Sequence, residues 1–430
     1  MTDRNIEISS DAAITYKLDQ DLLEWMSDNL KHHGRVYEAR IFGSNALVVG
    51  DPENVGHILQ KNWRNYRKGQ IIKRIAFLLG NGLMVSEGEV WRRQRRMVQP
   101  AFHHDVIGSL TRLIKTANMS LLEKWEMAAQ NKEVVNITRD LSRMILEVIL
   151  VSIFGDDYEM VSKDFNIVSE IAARDLEFAQ AFRSLDKIIL EVVDQRRRTN
   201  SVIADILGML MEVRDRETGQ VMSDRQLVNE IKTLIIAGHE TTASTLNWMW
   251  YLISQHPQVE RKLSDELNSL LLGNRFPELI DLPRFSYTRQ VIDETLRLYP
   301  VGWLITRRAL KDDHLGDHIV RAGTEIYISP YLIQRDPDFW ENPDWFDPDR
   351  FGPDRLRDRH RLAFLPFSAG PRNCIGEFLA RIEMQIHLML IAQQLRLGYV
   401  QSKPLELEAG VNLRNRYDFI MVPERKTPTS

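Results

Sequence analysis

Phe367-Ser368-Ala369-Gly370-Pro371-Arg372-Asn373-Cys374-Ile375-Gly376 is the stretch that decides how this chain is read. Cys374 is the only cysteine in 430 residues, so neither an intrachain disulfide nor a multi-cysteine zinc site can form. Beyond it, apolar residues at 375, 378, 379, 382, 386, 389 and 390 predict a helix over Ile375–Gln394. A helix N-terminus offers unpaired N–H groups and about half a positive charge. Both lower a thiol pKa, and Arg372 adds positive charge. Gly370 and Gly376 permit a tight turn and let a flat, bulky group approach the backbone. A thiolate held this way is a nucleophile or a metal ligand. A lone cysteine is more often a small buried hydrophobe; the residues around this one argue otherwise.

A second segment is unusual. Ser223-Asp224-Arg225-Gln226 fits a capping box. The apolar pattern that follows runs to Pro257 and predicts a helix of about 30 residues, or about 45 Å, over 223–256. Its centre is apolar nearly all round, so it is expected to be buried. Yet the middle reads Ala237-Gly238-His239-Glu240-Thr241-Thr242, a poor composition for a buried helix interior. A zinc-protease reading of His239-Glu240 needs a second histidine at 243, where Ala243 stands. A packing glycine with back-bonded threonines is the plain alternative.

Phe367, Gly370, Arg372, Cys374 and Gly376 have the spacing of the haem-binding loop of cytochromes P-450, and the loop resembles it. Five fixed positions at about 5% usage each coincide by chance in about one chain of this length in ten thousand. The resemblance implies that Cys374 is the axial ligand of a haem b iron and that Phe367, Gly370 and Gly376 belong to the haem-binding loop. Residues 237–242 resemble the oxygen-activation helix of the same family. That implies an acid–alcohol pair, Glu240 and Thr241, delivering protons that promote O–O cleavage while the thiolate pushes electron density from the opposite side. Gly238 and the threonine hydroxyls can open a local break in the helical ladder. Glu294-x-x-Arg297 and Arg350, within Asp347-Pro348-Asp349-Arg350-Phe351, match the family's buried structural network. Trp91-x-x-x-Arg95, with Arg307 and Arg372, matches its propionate-binding positions. By position, Leu234, Ala237, Gly302 and Leu304, with Thr241, are expected to line the substrate pocket, along with Leu78 and Leu79. All but Thr241 are apolar or small, so an apolar C–H target is expected.

The rest of the chain fits a mainly α fold with small β elements: one large helical domain over 1–430 with a minor β-rich region. A lead-in over about 1–35 precedes a β-rich start over 36–50, and the haem-ligand loop and its helix occupy 367–394. Composition is ordinary for a globular protein, with 43% hydrophobic and 27% charged residues. Lys+Arg 56 against Asp+Glu 60 gives a net charge of −4 and no bias toward nucleic acid. No apolar run is long enough for a signal peptide or a membrane span, so a cytoplasmic protein is expected. The resemblance implies O₂-dependent monooxygenation, with NAD(P)H electrons arriving through a separate ferredoxin or flavodoxin and its reductase. Arg92, Arg93 and Arg96 are expected on the surface, as a basic patch that could dock an acidic donor. The stretch 156–195 is short for the family's pocket roof, which predicts a truncated or rearranged roof and a bulky or carrier-tethered substrate. Two other classes stay open: a cysteine-nucleophile hydrolase, which lacks a recognisable histidine partner, and a haem-binding protein without turnover.

Overall fold

The computed structural model describes residues 14–162, 176–199, 203, 205–271, 278–357, 359–401 and 403–426. The chain is mainly α-helical with small sheets. At its centre runs the helix Asp224–Gln255, capped by Ser223, whose hydroxyl accepts from Gln226 N. It is continuous. Gly238 opens no break in it, contrary to the sequence expectation: a Cβ there would meet Ile149 Cδ1 at 2.6 Å, so the glycine lets the helix Ile137–Phe154 pack closely. Trp248 anchors the far half, stacked on Tyr299 at 3.8 Å and edge-on to Phe419. Trp248 and Phe419 belong to the main apolar core, and Tyr299 packs against it.

The helix Glu377–Gln394 crosses His104–Asn131 and the central helix through a buried polar link. Trp250 Nε1 donates to His387 Nε2 at 2.8 Å, and His387 Nδ1 meets Asn118 Oδ1 at 2.6 Å. Burial holds His387 down at about 3, so it is neutral.

A six-stranded sheet joins N-terminal strands to two strands from residues 305–328, in the order Ile14–Thr15, Val36–Ile41, Ser44–Val49, Glu325–Ile328, Ile305–Ala309, Tyr66–Lys68. Its register sets Lys68 opposite Arg307. Leu59, Tyr66, Leu365 and Ala369 share one apolar cluster, so the approach to the cysteine loop packs directly on this sheet. The hairpin Leu407–Ala409/Leu413–Asn415 lies against the central helix and residues 301–303.

Residues 163–175, about a third of the predicted roof, lie outside the described residues, so the truncated-roof expectation falls there; the helix Leu176–Thr199 covers the C-terminal half of that stretch. Among the described residues no helix is long and apolar enough to cross a membrane.

Candidate active site

The cysteine loop is closed by Cys374 N donating to Phe367 O at 2.9 Å. Ser368 and Gly370 both take positive φ, at 63° and 74°. Gly370 is also sterically obligatory: a Cβ would lie 1.9 Å from Leu59 O. The helix begins at Glu377, three residues beyond the cysteine and two later than the apolar pattern predicted. That offset aims the amides of Gly376 and Glu377 at the sulfur. Burial raises the thiol pKa nonetheless, outweighing those amides and Arg95. The depressed thiol expected from the helix terminus is therefore corrected: the surroundings alone do not make a thiolate. Protein atoms crowd the sulfur, yet Cys374 presents open surface on one side.

Beside the loop is an excess of positive charge, part of it buried. Arg372 is held between Trp63 and Trp91, its guanidinium 5.2 and 5.4 Å from the ring centres. It donates to Tyr66 O at 2.5 Å and to Glu87 Oε2 at 2.7 Å, while its buried Nε has no partner. Arg307 is buried and donates to Thr306 O; burial, then Arg372, pushes its pKa down to about 10. Arg95 donates to Asn373 O at 2.9 Å and Oδ1 at 3.1 Å. Lys68 donates to Leu83 O and Ser86 O. Burial drives its pKa down to about 7, against the pull of Glu87. Lys68 and Arg307 are buried and Arg95 and Arg372 half-buried; of the four, among the described residues, Arg372 is ion-paired, with Glu87. Buried charge of one sign calls for a counter-charge. Two propionates supply it, and a macrocycle that brings its own equatorial ligands suits a lone cysteine. Haem fits these residues.

On the central helix, Ala237, Glu240, Thr241 and Ser244 are partly exposed, and their spacing puts them on one face. Thr241 Oγ1 donates to Ala237 O at 2.6 Å, and Glu240 Oε2 accepts from Asn412 Nδ2 at 3.0 Å. His239 faces away, buried against Ser142. Of the expected pocket residues, Gly302 is open, with nothing within 4 Å of a Cβ, and Leu304 is half-buried. Leu234 and Leu79 pack into the main core; the Leu78 side chain is outside the described residues.

Glu294, Arg297 and Arg350 come together with almost no exposure. Glu294 accepts from Arg297 Nε at 2.7 Å and Nη2 at 2.8 Å, and from Arg350 Nε and Asp347 N at 2.9 Å. Arg297 also donates to Gln334 O, Pro343 O and Trp345 O, which occupies all five of its N–H groups.

The predicted basic patch is largely neutralised. Arg92 pairs with Glu89, Arg93 with Asp215 at 3.6 Å, and Arg96 with Asp215 at 3.0 Å and Glu217 at 2.9 Å. Sequence reasoning missed Lys68, Glu87 and Asn412. For Lys68 a signal existed: Tyr66 and Lys68 alternate with Arg67 in a strand pattern, so both point to the same face.

A family model described as Cytochrome P450 matches residues 12–177 and 170–421. The chain is similar to cyclooctat-9-en-7-ol 5-monooxygenase of Streptomyces melanosporofaciens, at 33% identity over 88% of this chain and 85% of that protein. It is similar to the chloroplastic carotene epsilon-monooxygenase of Arabidopsis thaliana, at 28% identity over 91% and 79%. Among solved structures, retinoic acid bound cyanobacterial CYP120A1 has the same fold, with a TM-score of 0.86, 23% identity and 95% of each chain covered. A family match spanning nearly the whole chain, with relatives named as monooxygenases, establishes that this protein belongs to the cytochrome P450 family and is a haem-thiolate monooxygenase.

Proposed function

We propose that Cys374 is the axial ligand of haem b and that Arg95, Arg307, Arg372, Lys68 and Trp91 surround its propionates. Bound haem supplies oxygen activation, and the overall reaction balances as R–H + O₂ + 2 e⁻ + 2 H⁺ → R–OH + H₂O. The observation that carries the assignment is the joint one: a surface-presenting sulfur aimed at by two amides, beside four basic side chains, two buried and two half-buried, of which Arg372 is paired with a carboxylate. Glu240 Oε1, free of the Asn412 contact, and the Thr241 hydroxyl handle protons from the open face of the central helix. To donate outward, Thr241 must give up its bond to Ala237 O. Gly376 leaves room beside the sulfur, since a Cβ there would be no closer than 4.0 Å to Cys374 Sγ. Phe367 lies under the Arg381 guanidinium, 5.0 Å away, and fixes the start of the loop.

Electrons come from a ferredoxin or flavodoxin with its NAD(P)H-dependent reductase. For the substrate, we carry over the chemistry in the relatives' names, a cyclic alkenol and a carotene: an unsaturated, terpenoid-type skeleton. The small and apolar residues Ala237, Gly302 and Leu304 support it. The reduced protein is expected to give the thiolate-type Soret band with carbon monoxide, and C374A to lose it. An unchanged band in C374A overturns the ligand assignment. Substrate class is read from spin-state shifts with β-carotene, retinoids and long-chain fatty acids; a response to fatty acids alone overturns the terpenoid assignment.

A further inference from the structure

We propose that Asn412, at the tip of the C-terminal hairpin, is a positioning residue for Glu240. The inference rests on the reading of Glu240 as a proton-handling group. Its Nδ2 donates to Glu240 Oε2 at 3.0 Å, across 172 residues of sequence. Among the described residues, Glu240 takes part in no ion pair and Asn412 is its hydrogen-bond partner.

The tip is itself fixed on both sides of Asn412. Trp303 Nε1 donates to Gly410 O at 2.9 Å, and Leu413 N donates to Val301 O at 3.0 Å. Trp248 Nε1, from the central helix, reaches Leu413 O at 3.4 Å. The amide therefore stands on a frame tied to residues 301–303, beside Gly302 and Leu304. The position of the Glu240 carboxylate is set by the same segment that borders the expected pocket.

The chemistry of the donor matters. An arginine or lysine at 412 would hold Glu240 ionised and resist its protonation. A neutral amide restrains one oxygen and leaves the carboxylate able to gain and lose a proton, which a relay requires. Among the described residues the titratable group electrostatically coupled to Glu240 is its chain neighbour His239, whose pKa burial lowers and whose ring bonds to Ser142 on the opposite side of the helix. A proton given up at Glu240 is replaced from solvent, so the group returns to its starting state each turnover.

The test uses the ferric holoenzyme and needs no substrate. Glu240 is titrated by pH-difference infrared spectroscopy, its protonated-carboxyl band assigned by loss in Glu240→Gln. Asn412→Asp places two carboxylates within hydrogen-bonding distance, where they must share a proton. Its midpoint is expected to rise by more than about one pH unit. Asn412→Leu is expected to broaden and shift the band, and Asn412→Gln to restore it. In parallel, with ferredoxin and reductase supplying electrons, hydrogen peroxide released per O₂ consumed is expected to rise several-fold in Asn412→Leu and in Glu240→Gln. Carbon monoxide spectra check that each variant is folded and loaded; if Asn412→Leu misfolds, the Asp and Gln variants decide. Unmoved bands and wild-type peroxide yield in the Asn412 variants, with Glu240→Gln leaking, overturn this inference alone. A Glu240→Gln protein that leaks no more than wild type overturns the underlying reading of Glu240.

Discussion

Replacing Glu294 by glutamine keeps its shape and removes its charge, which makes it a clean probe of the buried network. Glu294 and Arg297 are fully buried and Arg350 is nearly so. Four donors converge on the carboxylate, three of them from guanidinium groups. In E294Q the amide nitrogen must sit on one of the two oxygen positions, donor against donor. Both arginines then stay in the interior without a counter-charge. Removing one partner of a buried ion pair costs about 3–5 kcal/mol, and with two arginines dependent on one glutamate the upper half of that range is expected. Unfolding entropy is about 2.1 cal/mol/K per residue near the melting temperature. For 430 residues that is about 0.9 kcal/mol/K, so a loss of about 4–5 kcal/mol lowers Tm by about 5 °C. The assay is a calorimetric or circular-dichroism melt of haem-loaded protein, repeated with D28N. Asp28 pairs with Lys31 in the open, at 61% and 67% exposure, and its loss is expected to move Tm by less than about 1 °C. If E294Q melts within a degree of wild type, the charge of Glu294 does not hold these arginines in place, and the reasoning fails.

Gly370→Ala forces a methyl group to within 1.9 Å of Leu59 O at a φ of 74°, so the loop must shift. The protein is expected to purify with most of its haem missing, measured as the Soret-to-280 nm ratio; a fully loaded G370A contradicts the loop argument. Glu383 gives a pH test. Burial pushes its carboxyl up to about 8, against the weak pull of Thr242, so the folded protein keeps it neutral through pH 7. The unfolded chain ionises it near 4.3. Between those values only the unfolded state gives up the proton, so this group's contribution is full below about pH 4 and is lost as pH rises toward 8. E383Q removes that slope: relative to wild type it is expected to gain on the order of 3 kcal/mol between pH 5 and pH 8 by urea unfolding. Parallel stability curves for the two proteins dispose of the idea.

Local signals carried much of the fold. The capping serine at 223 and the apolar run to Pro257 predict a helix, and the structure has one over Asp224–Gln255, because a long apolar stripe leaves little else for the backbone to do. Glu294 and Arg297 pair three residues apart on one turn, so their contact is readable without any tertiary knowledge. What could not be read depended on contacts between distant segments. Lys68 meets the arginine cluster only because sheet register puts it across from Arg307. Gly238 reads as a weak point in isolation and becomes a packing site once Ile149 stands against it. Arg93 and Arg96 look like free surface charge until the loop carrying Asp215 folds over them. Asn412 reaches Glu240 through the geometry of a hairpin tip, for which the sequence has no local mark.

The thiol shows how a correct feature led to an incomplete inference. A helix start after Cys374 does aim amides at the sulfur, and Arg95 is near enough to help. A surface cysteine given the same helpers would be a thiolate. Here the loop packs on the sheet through Leu365 and Ala369, and the resulting burial outweighs every favourable contact. A nucleophile so placed would be protonated and slow, which weakens the hydrolase reading on energetic grounds. A metal ligand has no such difficulty, because coordination itself displaces the proton. The amides, too weak to ionise the sulfur unaided, still temper the charge it carries. The site is intelligible as one shaped for a bound cation and for two carboxylates that arrive with it.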